Sequence, residues 1–113
     1  MPEMIAENIK SVTERIAKCC EKIGRSPASV RLIAVTKEAP VAAIEEAIGA
    51  GASLIGENRV QDAVVKHRTI GELAEWHLIG HLQTNKVKDA VKIFSLIHSV
   101  DSLKLILAID KEA

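Results

Sequence analysis

Lys37 closes a run of branched apolar residues in "RLIAVTKEAP", residues 31–40. An amine beside apolar surface loses proton affinity through desolvation and becomes a nucleophile toward an aldehyde. A lysine in that place also serves simply to solvate a strand tip, which is the commoner role. His77 and His81, in "EWHLIGHLQTNK", stand four residues apart. On a helix that spacing suits two metal ligands, but on a strand it separates them by about 13 Å, at about 3.3 Å per residue. The strand reading leaves no metal site, packs His77 within a sheet, and puts His81 at a strand end where it can meet a ligand. Gly80 beside it permits close approach of a backbone or a ring. Asn58, in "GENRVQD", can donate and accept hydrogen bonds to a ligand, or equally serve as a helix N-cap. Ser99, Asp101 and Ser102, in "HSVDSLKL", carry the same two readings, with Asp101 or Ser102 a good cap for a final helix.

These residues take meaning from the elements that position them. Ile5, Ile9, Val12, Ile16, Cys20 and Ile23 alternate at spacings of four and three, the pattern of an amphipathic helix, and Gly24 with Ser26-Pro27 ends it. Cys20 falls on that apolar stripe with Cys19 beside it, so both are expected to be buried. Beyond this leading helix (1–24), apolar runs begin at Arg31, Ser53, Glu75 and Leu96, separated by 22, 22 and 21 residues. Each is followed by a helix-sized segment, with one-sided apolar positions such as Val41, Ile44, Ile48 and Val60, Val64, His67. Strands and helices alternating at this pitch predict four parallel βα units over 31–113, since parallel neighbours need long crossovers. Nearly continuous apolar runs predict strands buried on both faces. The fold class is therefore α/β.

The turn "VTKEAPVAA" lacks the glycine-rich phosphate loop of nucleotide-binding sheets, which favours a (β/α)8 barrel over an open doubly wound sheet. A barrel needs about 250 residues and this sequence offers four units, so it reads as half of one, with two unpaired edges and an inner face of Ile33, Val35 and Ile79 open to water. Such a half is expected to meet a complementary half-barrel chain, to pair with its own copy, or to be a fragment. In either architecture ligands bind beyond the carboxyl ends of the strands. That rule selects Thr36-Lys37, Glu57-Asn58, Gly80-His81 and Ser99–Asp101. Alternation along the strand puts Ile33, Val35 and Lys37 on one side.

Composition narrows the partner. The 113 residues suit one domain, and 15 basic against 15 acidic residues, without blocks of either sign, give no stripe for nucleic acid or an anionic membrane. Adjacent Cys19 and Cys20 cannot easily bridge, and the N-terminus shows no secretory pattern, so a reduced, cytoplasmic protein is expected. No apolar run approaches the roughly 20 residues of a membrane span. A small molecule or a protein remains as the partner.

In their order and spacing, "LIAVTK", "GENRVQ", "WHLIGHLQTNK" and "LIHSVDSLKL" resemble the YggS/PROSC family, the pyridoxal phosphate homeostasis proteins, along essentially the whole chain and the N-terminal half of the family. The resemblance implies a barrel like the N-terminal domain of alanine racemase. It implies pyridoxal 5'-phosphate (PLP) held as a Schiff base on Lys37, with Asn58, His81 and Ser99 lining the cofactor's ring. Members of the family look like carriers or regulators of cofactor supply, without catalytic turnover. Two departures stand out: Ala39 replaces a second lysine found in many relatives, and the family's phosphate cradle belongs to loops near the last strands. A racemase-type enzyme is the alternative, but it needs a second acid/base group, and the chain has no tyrosine. A half-barrel that binds no cofactor and acts only in assembly is the other.

Overall fold

A computed structural model describes residues 2–113. Helix α1 (Pro2–Lys22) ends at Gly24, whose φ of +69° supplies the left-handed residue of a helix C-terminus. It packs on helix α2 and the turn before the first strand, so only a narrow stripe is covered. Cys20 is buried and Ile9 and Ile16 are half-buried, but Ile23, past the helix end, is 72% exposed. Cys19 is exposed too, which corrects the expectation that both cysteines are buried. It sits one position around the helix from Cys20, beyond the covered stripe.

The four βα units are present: β1 (Ala34–Val35), α2 (Val41–Gly49), β2 (Leu54–Glu57), α3 (Val60–Ile70), β3 (Glu75–Leu78), α4 (Val87–Ile93), β4 (Leu96–Ile97) and α5 (Leu103–Glu112). All strand pairs are parallel and the order is β1-β2-β3-β4. A doubly wound sheet reverses its order at a switch point, whereas this one proceeds in a single direction, as a barrel does. The helices share one face of the sheet, where Ile44, Val60, Ala63, Val87, Ala90 and Leu105 bury against Ile55, Trp76 and Leu78. On the other face a Cβ added to Gly56 would lie 2.8 Å from Ile33 Cγ2 and 3.3 Å from Ile79 Cδ1, so a glycine lets the two isoleucines close over β2.

That inner face departs from the expectation of strands buried on both sides. Val35 is 53% and Leu96 51% exposed, because β1 and β4 are edges and no second layer covers them. A Cα radius of gyration of 15.6 Å exceeds the roughly 13 Å of a compact domain of this length, and the smallest extent is 19 Å. The molecule is a two-layer slab.

Across the inner face a polar chain runs from the amino end of β3 to the residue that follows β4. Arg31 donates two hydrogen bonds to the Glu75 carboxylate, at 3.0 and 3.2 Å. His77 Nε2 lies 2.8 Å from Glu75 Oε2, and His77 Nδ1 lies 3.1 Å from His98 Nε2. An ionised carboxylate only accepts, so Nε2 of His77 carries the proton, and in the neutral ring Nδ1 then accepts from His98 Nε2–H. His77 is thus buried within the sheet, as its strand position requires. The Arg31 hydrogen bonds, then that from His77, with Ser95 adding a third contact, hold the Glu75 carboxyl down at about 2.

Two outcomes follow from this packing. Because the folded-state value of Glu75 lies below the ordinary 4.5, its contribution to stability is fully present above about pH 4.5 and is lost as the pH falls toward 2. Urea unfolding of the wild type should therefore lose more stability between pH 5 and pH 2 than unfolding of Glu75→Gln; parallel losses would contradict the pairing. At the upper end, a Cβ on Gly80 would stand 2.1 Å from the Asn58 carbonyl oxygen. Backbone cannot yield as a side-chain tip does, so Gly80→Ala should cost about 3 kcal/mol in the same assay, the upper end for overpacking. An unchanged midpoint would refute the close approach.

Candidate functional site

The upper rim, where the strands end, is built around a glutamate with no exposed surface. Glu57 closes β2 in "LIGE", and strand alternation points its side chain to the helix-covered face, like Ile55. A carboxylate there needs compensation. Lys66, on the inward side of α3 with Ala63 and Ile70, places Nζ 3.0 and 3.1 Å from the two Glu57 oxygens. Thr36 Oγ1 donates a short hydrogen bond to the same carboxylate. The Glu57 backbone carbonyl accepts from Ile79 N–H at 3.0 Å, so one residue ties together β1, α3 and the end of β3.

Lys37 follows Thr36 immediately. The chain turns there, with Ala39 N–H donating to the Thr36 carbonyl at 3.0 Å and Glu38 at φ +63°. A left-handed, non-glycine residue costs roughly 1–2 kcal/mol, which the surrounding contacts must offset. The Lys37 side chain is exposed, and its amine makes no hydrogen bond or ion pair among the described residues.

The other three sequence-predicted residues meet around Gly80. Asn58, half-buried, passes its backbone against Gly80; Ser99 Oγ donates a short hydrogen bond to the Gly80 carbonyl. His81 Nδ1 lies 3.4 Å from Asp101 Oδ2, with both side chains exposed. Asn58, Gly80 and His81 line a cleft of about 400 Å³ that Gln83 and Lys86 also face. Lys37 lies outside that cleft, on the β1 turn. Asn58 is not the helix cap: Arg59 takes the N-cap position of α3 without a capping side chain, leaving the Asn58 amide free of that task. Ser102 caps α5, its Oγ accepting from Leu105 N–H at 3.1 Å.

Two participants escaped the sequence reading. Lys66 was detectable, because an acid inside an apolar strand run demands a cation, and position 66 falls one turn after Ala63 on the sheet-facing side of α3. His98 was detectable by parity with Leu96, which pairs in register with His77. Among the described residues no group of three or more His, Cys, Asp or Glu side chains could hold a metal ion, and no helix is long and apolar enough to cross a membrane.

No protein-family model matches the sequence. Among curated proteins, it is 44% identical over 102 residues to the pyridoxal phosphate homeostasis protein of Pseudomonas aeruginosa, covering 89% of this chain and 44% of that protein. The protein of the same description from Escherichia coli K12 is 42% identical over 105 residues (89% and 45%), and that from Aquifex aeolicus 42% over 108 residues (95% and 47%). Among solved structures, PipY of Synechococcus elongatus, with PLP bound, superposes with a TM-score of 0.79 at 44% identity, over 96% of this chain and 47% of PipY. A protein described only as an unknown protein, from Bifidobacterium adolescentis, superposes at 0.85 with 35% identity, over 97% and 49%. The relatives are described as homeostasis proteins rather than as enzymes. Over about nine-tenths of its own length the chain matches pyridoxal phosphate homeostasis proteins in sequence, and PipY in fold, and it spans about half the length of each.

Proposed function

We propose that the chain is the lysine-bearing half of a PLP-binding barrel that serves intracellular cofactor homeostasis in the cytoplasm, without turnover of its own. One observation carries this reading. An exposed, unpaired amine, Lys37, stands on the carboxyl rim of a one-directional parallel sheet that matches half of a protein solved with PLP bound. When bound, PLP supplies an aldehyde carbon to which an amine attaches with loss of water.

The residues present fit that group in kind. Lys37 offers the free amine, and Asn58 and His81 offer donors and acceptors for the ring's polar edge. Ser99, already donating to Gly80, keeps its lone pairs as acceptors and sets the loop after β3. Lys66 cannot replace Lys37, since its amine is occupied by Glu57 and the Thr36 carbonyl. The edges β1 and β4 and the exposed Val35 and Leu96 suit a second half-barrel, from further sequence or from another chain, and the family resemblance assigns the phosphate contacts to that half. The chain alone therefore binds weakly.

Incubation with PLP, reduction with borohydride and peptide mapping test the reading. The label is expected on Lys37 in preference to other exposed lysines such as Lys88 and Lys104, and Lys37→Ala should remove the preferential site. Label spread evenly over the exposed lysines would overturn it.

A further inference from the structure

We propose that Lys66 is a positioning residue for Lys37, a role that rests on the reading of Lys37 as the cofactor's point of attachment. An ammonium has three N–H donors, and all three of Lys66 are matched: the two oxygens of Glu57 at 3.0 and 3.1 Å, and the Thr36 carbonyl at 2.7 Å. The shortest of these contacts is not to the partner acid. It is to the carbonyl of the peptide that joins Thr36 to Lys37.

An ion pair built for stability alone gains nothing by reaching that carbonyl. Buried pairs are commonly no more stabilising than well-packed apolar residues of the same volume, so stability is a poor explanation for this one. Its geometry does something that an apolar pair cannot. The Thr36 carbonyl receives Lys66 Nζ from the helix side and Ala39 N–H from the turn, while Thr36 N–H donates to Gly56 at 3.0 Å and its hydroxyl donates to Glu57. Both flanks of Thr36 are thereby fixed, and the plane of the next peptide with them. On the far side of Lys37, Glu38 sits at φ +63°, a conformation that persists only where its surroundings enforce it. Lys37 thus has a pinned peptide before it and a strained residue after it. Its long side chain is free, and its Cα direction is not. Orientation of an attacking amine matters because a displacement of about 1 Å can change a rate about a hundredfold.

The chain itself, with PLP as the probe and borohydride trapping, gives the test. The readout is the ratio of label on Lys37 to label on Lys88, a lysine of α4 exposed to solvent and remote from Glu57 in the sequence. Glu57→Gln/Lys66→Met removes both charges together, so no buried ion is stranded, and should lower the ratio about tenfold or more while circular dichroism stays unchanged. Lys66→Arg, which keeps donors for both Glu57 and the carbonyl, should restore the wild-type ratio. If the double variant fails to fold, Glu57→Gln/Lys66→Gln, which also strands no charge and leaves position 66 too short to span residue 57 and Thr36 at once, carries the same expectation. A folded variant with an unchanged ratio would overturn the positioning role and leave the attachment at Lys37 standing. A wild type with no preference for Lys37 would remove the attachment itself, and the positioning role with it.

Discussion

Burying the Glu57 carboxylate is costly unless charge and hydrogen bonds meet it, and the way that need is satisfied organises the upper end of the molecule. The Lys66 ammonium arrives from α3, the Thr36 hydroxyl from the end of β1, and the glutamate's own carbonyl continues the ladder to Ile79. Three elements distant in sequence are thereby held in one arrangement. The strand ends are short, with β1 and β4 each contributing only two paired residues, so sheet hydrogen bonding alone would hold the rim loosely. The ion pair supplies what the β1 edge lacks.

A division of labour between the two faces follows. The helix-covered face holds the apolar core and, at its top, the Glu57 cluster that sets the backbone around Lys37. The inner face is half apolar and half polar: Ile33 and Ile79 close over Gly56, while a chain from Arg31 through Glu75 and His77 climbs to His98, just past the end of β4. With Val35 and Leu96 exposed, this face is incomplete in its burial. That is the condition of a barrel interior seen from half a barrel, and it agrees with a chain that spans about half the length of its relatives.

The sheet order was legible in the sequence because the pitch of 22, 22 and 21 residues leaves room for one crossover helix and nothing else. Rim positions for Lys37, Asn58, His81 and Ser99 followed from the strand ends alone. Cys19 was misjudged because helical periodicity shows which side is apolar and not how wide a stripe its neighbours cover. Local pattern also allowed Asn58 as a helix cap, but the chain passes against Gly80 there and the helix begins one residue later. Lys66 and His98 matter through partners 30 and 21 residues away, and a reading by local period does not register such pairings.

The central claim is that the rim holds a defined PLP site anchored at Lys37, and calorimetric titration of the chain with PLP tests it most directly. Weak heat of binding from the wild type, abolished in Lys37→Ala while the variant's melting temperature is unchanged, is the expected result. Binding equal in the wild type and Lys37→Ala would contradict it.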